Sequence, residues 1–268
     1  MDNSPYVGQL LQRLEEEFNN EHASVTHVWE PTFDPNAIGE TSSVGIVSGS
    51  ITAAQLATRV AQLPGRDVVL FARSPFCIET LEASTDWMHF SGVTEKLHVH
   101  PPASRAREEL VSKARYDGTM PPYVFRRLQQ ALEREQVELE RSEIAVATEA
   151  GGTVVVTCRD GSAFCLDELI CATGFGSPYD GELFCHLRQQ SALQTGYRGT
   201  PVLDDDTLRW MRQDETPSRI AVSGVAAQQV LGPFARNVIG ARRAGELIAG
   251  FLESELTDEQ RGISRLGM

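Results

Sequence analysis

Residues 43–61, Ser-Val-Gly-Ile-Val-Ser-Gly-Ser-Ile-Thr-Ala-Ala-Gln-Leu-Ala-Thr-Arg-Val-Ala, most narrow the folds open to this chain. The apolar run ending at Val47 is strand-like, the small residues Ser48, Gly49 and Ser50 punctuate it, and an alanine-rich helical pattern opens at Ile51. A strand entering a helix through a tight turn is the first half of a βαβ unit that binds a dinucleotide. In that fingerprint the first glycine permits the turn and the second lets a pyrophosphate approach the backbone. Here Ser48 and Ser50 hold those positions and Ala53 fits the last. Serine hydroxyls can bond phosphate, whereas each Cβ takes space that the turn or the phosphate would use. Ser48, Gly49, Ser50, Thr52 and Ala53 are the candidate pyrophosphate residues, and the stretch marks the fold more firmly than it marks binding.

The turn 65–67 leads to a second apolar run, 68–72, patterned as a buried parallel strand and closed by Arg73 and Ser74. At this place an acidic residue bonds the ribose 2′-hydroxyl of NAD, and arginine accepts the 2′-phosphate of NADP. Arg73 favours NADP; the plainer reading is a solvated arginine after a strand.

The chain's 268 residues, 41% of them hydrophobic, can bury one large or two medium cores. Its formal net charge of −13 opposes phosphate backbones, so nucleic acid is not an expected partner. No run reaches membrane-span length and the first residues lack a secretory pattern, which places the expectation in the cytoplasm with no membrane partner. Cys77, Cys158, Cys165, Cys171 and Cys185 form no Cys-x-x-Cys pair and read as buried reduced thiols.

Elsewhere the spacing predicts an amphipathic helix over 6–20, a proline-broken linker over 25–39, and an irregular excursion over 76–102. Helices follow over 103–116, with Ala106, Leu110, Val111 and Ala114 inward, and after Pro121-Pro122, with Val124, Leu128, Ala131 and Leu132 on one face. Strands are expected at 143–148 and 153–158, then a hairpin turn at 159–162 and a strand at 163–166. His98 and His100 would share one side of a strand, a metal-compatible spacing without a third ligand nearby, and loop residues are the default. Asp204-Asp205-Asp206 reads as a solvated acidic turn, and no metal site is assigned.

Two later stretches place glycines at strand ends. The run 167–175 ends in Ala172-Thr173-Gly174, and 219–224 ends in Ser223-Gly224. The second is followed by Gly232-Pro233-Phe234-Ala-Arg-Asn237 and an apolar helix to about Leu252. A helix opening there offers N–H groups to electron-rich ligand atoms; the alternative is a helix that merely covers the sheet.

Residues 44–57, 169–175 and 220–244, taken in this order, resemble the FAD/NAD(P)-binding flavoproteins related to lysine and ornithine N-hydroxylases and flavin monooxygenases. The likeness runs from about Trp29 to Leu252. It implies an α/β chain with a Rossmann-like NAD(P)-binding domain on a parallel sheet, plus the C-terminal part of an incomplete FAD-binding domain. In this reading 1–41 is a helix and linker, 42–166 the NAD(P) domain, 167–256 the FAD-side portion and 257–268 a tail. The family's opening Gly-x-Gly-x-x-Gly unit is missing, since residues 1–41 contain only Gly8 and Gly39. The chain therefore looks like a C-terminal portion, and strands 169–172 and 220–223 would present open edges to a separate N-terminal half or another copy.

The resemblance implies NADP on Ser48–Ala53, Arg73 and Ser74, with FAD near Thr173, Gly174, Gly224, Gly232, Pro233, Phe234 and Asn237. The implied function is the NADP-binding portion of a flavin-dependent oxidoreductase, passing hydride from NADPH to FAD. The alternative is a non-catalytic nucleotide-binding or interaction module. No side chain is assigned as a general acid, base or nucleophile.

Overall fold

The computed structural model describes residues 25–31, 33–34, 38, 43–116, 118–190 and 192–266. The helix expected at 6–20 lies outside them. The chain divides into two compact units interleaved in sequence, one of residues up to 81 with 117–176, the other of 82–116 with 177 onward.

The first unit is built on a five-stranded parallel sheet. Its strands are β1 (Val25–His27), β2 (Ser43–Val47), β3 (Asp67–Phe71), and, after the short parallel pair β4 (Cys77–Ile78) and β5 (Thr119–Met120), β6 (Glu138–Glu140). An antiparallel meander of β7 (Ile144–Ala150), β8 (Thr153–Cys158) and β9 (Ala163–Leu166) then leads into β10 (Glu168–Cys171), the last strand of the sheet. The spatial order is β1-β10-β2-β3-β6, every neighbour parallel.

Strand periodicity sorts the side chains to two faces. Val44 and Ile46 of β2, Val68 and Leu70 of β3, and Ile170 of β10 pack with Ala53, Leu56, Ala57 and Val60 of helix Ile51–Val60 and Val124, Leu128 and Ala131 of helix Pro122–Glu133. Val69, Phe71 and Leu169 face the opposite way, against Ile144, Val154, Val156 and Leu166 of the meander. Gly45 falls on that second face, and glycine is required there because a Cβ would stand 2.5 Å from Leu166 Cδ1 and 2.9 Å from Leu169 Cδ1.

Several expectations change here. β1 forms within the stretch read as a linker, and the excursion at 76–102 contains helix Phe90–Leu97. β10, assigned from sequence to the following domain with an open edge, is covered on both sides by β1 and β2. The strand near 220 pairs antiparallel with a neighbour of its own, and the helix expected to stop near Leu252 runs through the expected tail to Leu266. Cys158 and Cys171 are buried as expected, whereas Cys165 is exposed and Cys77 and Cys185 are half-buried.

The second unit has a two-stranded antiparallel ribbon, β11 (Arg209–Met211) with β12 (Pro217–Ala221), and helices Phe90–Leu97, Arg105–Ala114, Glu182–Gln190, Gln228–Leu231 and Val238–Leu266. Trp210, Leu208, Leu231 and Ala235 are fully enclosed in its core. Arg107 is completely buried on the helix whose inward positions the sequence pattern gave only to apolar residues. Its guanidinium forms a two-point bridge to Asp205, at 2.6 and 2.7 Å, and donates to the carbonyls of His100 and Gln229. Asp205 is thus an internal counter-ion and not part of a merely solvated turn. Among the described residues no helix is long and apolar enough to cross a membrane.

Glu168 opens β10 opposite Val44, and burial raises its carboxyl pKa. A carboxyl whose folded pKa lies above its unfolded value stabilises the native state below the unfolded pKa, and that contribution is lost as pH rises through the folded one. Glu168→Gln is expected to raise the Tm at pH 7, with the advantage over the parent vanishing below about pH 4, as followed by circular dichroism.

Candidate functional site

In the first unit the chain leaves β2 toward β3 on one side and returns through β10 on the other, so the crevice beyond the carboxyl ends of β2 and β10 is the topological switch point, where open parallel sheets bind ligands. Ser48, Gly49 and Ser50 form the turn there, and Thr52 and Ala53 lie in the first turn of helix Ile51–Val60. Ser48 N–H donates to the Phe71 carbonyl at 3.0 Å, and Ser50 Oγ lies 3.5 Å from the Ala172 carbonyl, bridging the crevice.

The turn keeps a glycine-type backbone without the glycine. Ser48 has φ 147°, a conformation that strains any residue with a Cβ. Its hydroxyl accepts the Ser50 backbone N–H at 3.2 Å and lies 3.0 Å from Ser50 Oγ. Ser48 therefore engages the turn N–H with its own side chain. The helix itself stays uncapped: Ser50 occupies the N-cap and makes no side-chain cap hydrogen bond, and the first turn has no acidic residue. Its opening N–H groups have no partners within the helix, and the positive end of the helix dipole faces the crevice.

Arg73 and Ser74 follow β3 on the same strand-end side. Arg73 pairs with Glu143 at 3.6 Å, so it is tethered rather than simply solvated. The Ser74 carbonyl accepts from Arg141, which also donates to Ala72 O and lies over the Phe76 ring at 4.2 Å. Thr173 and Gly174 follow β10. Thr173 Oγ1 is 3.5 Å from His27 Nε2, and His27 Nδ1 accepts the Trp29 N–H at 3.3 Å, which selects the tautomer with its proton on Nε2. Gly174 has φ +90° with open space where a Cβ would be.

The sequence reading did not single out the aromatic pair beside these residues. Trp29 and Phe175 stack at 4.8 Å between centroids and 25° between planes, though they are 56% and 76% exposed. Both lie past strand ends in segments without periodicity, and only the β1–β10 pairing brings them together.

In the second unit, Gly224 (φ +69°) opens a short turn and Gly232 (φ +80°) leads into the turn Pro233–Arg236. Pro233 and Phe234 are buried. Asn237 Oδ1 accepts the N–H groups of Ile239 at 3.0 Å and Gly240 at 3.3 Å, capping the long helix. Gly240 is dictated by closeness, because a Cβ would collide with the Phe234 carbonyl and Ala235 Cα. His98 and His100 lie in the turn after helix Phe90–Leu97, as the loop default has it, instead of sharing a strand; His98 Nε2 contacts the Val230 carbonyl at 3.1 Å and its Nδ1 lies 3.8 Å from Asp205.

No protein-family model and no curated protein matches this sequence. The fold is that of the lysine and ornithine N-hydroxylases. Ornithine hydroxylase from Pseudomonas aeruginosa, in its reduced form, superposes with a TM-score of 0.69 at 15% identity, over 91% of this chain and 59% of that one. Ornithine N-hydroxylase from Kutzneria, solved with reduced FAD, NADP⁺ and L-ornithine, gives 0.67 at 14% identity, over 88% and 60%. The FAD-bound cadaverine monooxygenase of the desferrioxamine pathway from Erwinia amylovora gives 0.65 at 16%, over 90% and 56%. The chain thus spans somewhat more than half the length of these proteins.

Two substitutions test the turns. Ser48→Gly removes a strain of about 1–3 kcal/mol and costs about 0.4–1 kcal/mol of chain entropy plus about 0.5–1.5 kcal/mol for the lost bond to the Ser50 N–H, so urea denaturation is expected to show a small gain, under about 1 kcal/mol. Gly240→Ala is expected to lose about 2 kcal/mol in the same assay, because the backbone of 234–235 must move.

Proposed function

We propose that the chain is the nucleotide-binding portion of a flavin-dependent oxidoreductase of the N-hydroxylase type, taking NADPH at the switch point of its parallel sheet. The observation that carries this reading is the uncapped N-terminus of helix Ile51–Val60, which opens directly beyond β2 and beside the end of β10. Unsatisfied N–H groups and a positive helix end suit a pyrophosphate. Thr52 and Ala53 accompany them, and Gly49 leaves the approach open, its nearest neighbours being Ala72 and Phe76 at 3.7 Å from a would-be Cβ. Ser48 and Ser50 would turn their hydroxyls from each other to the phosphate.

Arg73 and Ser74 would take the 2′-phosphate, with Arg73 exchanging Glu143 for the more highly charged ligand. The flavin-side residues would include Thr173 and Gly174 of the first unit and, in the second, Gly224, Gly232, Pro233, Phe234 and Asn237. FAD, when bound, supplies hydride acceptance and oxygen activation. The chain's own part is to hold the nucleotide by its phosphates. An FAD-binding half on a separate chain, or a second copy, would complete the enzyme, with the cytoplasm as its setting.

A second reading rests on the Ser48 hydroxyl, which already accepts the turn N–H. A turn that partners itself fits a non-catalytic interaction module on the same fold. Calorimetric titration with NADPH, NADH and FAD, repeated with an FAD-binding half, separates them, and NADPH binding that never leads to NADPH oxidation would leave a non-catalytic nucleotide-binding module. The oxidoreductase reading expects NADPH to bind more tightly than NADH, and Arg73→Ala to reduce that preference roughly tenfold, equal to about 1.4 kcal/mol. It also expects a colourless isolated protein that oxidises NADPH only once FAD and an FAD-binding half are supplied. Absence of nucleotide binding both in the natural protein and in Ser48→Gly would leave the module.

A further inference from the structure

The buried polar residues among those described are Arg107, Thr200, Ser218, Gln228 and Gln229, and four of these five belong to one neighbourhood of the second unit. Burying polar groups is costly unless each finds a partner, so their concentration calls for a full account of donors and acceptors. Arg107 is satisfied by Asp205 and two carbonyls. Thr200 Oγ1 donates to the Tyr197 carbonyl at 2.7 Å. Gln229 Nε2 donates to Glu108 Oε2 at 2.8 Å and lies 3.4 Å from Thr200 Oγ1. The Glu108 carboxylate fixes which way the Gln229 amide faces, because the flipped amide would set oxygen against oxygen.

Around Thr200 two described side-chain atoms remain without a protein partner. Gln229 Oε1 and the Tyr179 hydroxyl are both sealed from solvent and hydrogen-bonded to nothing in the protein, on residues only 3% and 4% exposed. Both belong to the surroundings of Thr200. Gln229 reaches Thr200 Oγ1, and Tyr179 packs on the same turn, its Cβ 4.0 Å from where a Cβ on Gly199 would stand. Burial pushes the Tyr179 pKa up to about 12, so the hydroxyl keeps its proton at neutral pH; the neighbouring Thr200 and Gln228 side chains moderate the rise.

We propose that the second unit contains an internal site for one water molecule between Tyr179, Thr200 and Gln229. The chemistry of the orphan atoms defines the guest. Gln229 Oε1 can only accept, so the guest must donate to it; the Tyr179 O–H donates in return to the guest's oxygen. A molecule with one donor and one acceptor, small enough to be wholly enclosed, is water, which ordinarily makes two to four such bonds in protein interiors. The site joins three segments far apart in sequence: the helix carrying Glu108, the 179–200 region, and helix Gln228–Leu231. The last leads straight into Gly232 and the turn Pro233–Arg236, so the water acts as a positioning element for that turn. The inference holds whether or not a flavin binds there.

A crystal structure of the full chain at high resolution should show a density peak about 2.6–3.2 Å from both Tyr179 Oη and Gln229 Oε1. An empty space there, or direct protein partners for both oxygens, would overturn the inference. The sign of the Tyr179→Phe effect is the second readout. With the water present, loss of the hydroxyl removes one of its anchors and should lower the Tm by roughly 3 °C or more. A dry cavity predicts the reverse, because deleting an unpartnered buried hydroxyl relieves its desolvation cost, and an unchanged or raised Tm would refute the site. Should Tyr179→Phe not fold, the density in the natural protein decides alone.

Discussion

The parallel pairing of β10 with β2 is the contact on which the first unit depends. It joins Glu168–Cys171 to Val44–Val47, segments more than a hundred residues apart, and it inserts the returning chain between β1 and the strands that precede it. Without it β1 and β10 would be cut off from the rest of the sheet, the two faces of the core would lose Ile170 and Leu169, and there would be no switch point. Non-local pairing of this kind carries a loop-closure cost that must be met before the contacts form. The apolar run from Leu169 to Ala172 offsets that cost by burying side chains on both faces of the sheet.

Strong local patterns made much of this legible in the sequence. The turn at 48–50, the strand ending at Phe71, the face of Val124, Leu128 and Ala131, and the meander from Ile144 to Leu166 all have unbroken periodicity or turn chemistry of their own. β1 has neither: it is three residues long, and its one strand partner among the described residues is β10. Arg107 was hidden for a different reason. A charged residue on a helix reads as solvent-facing until its counter-ion is known, and Asp205 is ninety-eight positions away. The strand-end residues of the candidate site could be named from sequence, whereas Ser48's unusual φ, the Arg73–Glu143 pair and the Trp29–Phe175 stack required coordinates.

The two units solve the problem of burial differently. The first uses a sheet with apolar side chains on each face and keeps its polar groups at strand ends. The second lacks such a sheet among its described residues and uses internal polar links to hold short helices and turns together. The Arg107–Asp205 bridge and the Gln229–Glu108 contact tie helix Arg105–Ala114 to segments about a hundred residues later. Buried ion pairs of this kind gain little over apolar packing, yet removing one partner leaves an uncompensated charge. Their strength lies in allowing few alternative arrangements, which suits a unit with little regular structure.

The Trp29–Phe175 stack has an optical consequence. The chain has three tryptophans, and Trp87 and Trp210 are both buried within the second unit. Trp29 is the half-exposed one, set at the strand ends of the first unit, with its indole against a second aromatic ring. Its emission therefore reports on polarity and quenching at the mouth of the sheet, separately from the two enclosed indoles. Nature has placed a single spectroscopic probe beside the crevice, and no label is needed to watch it.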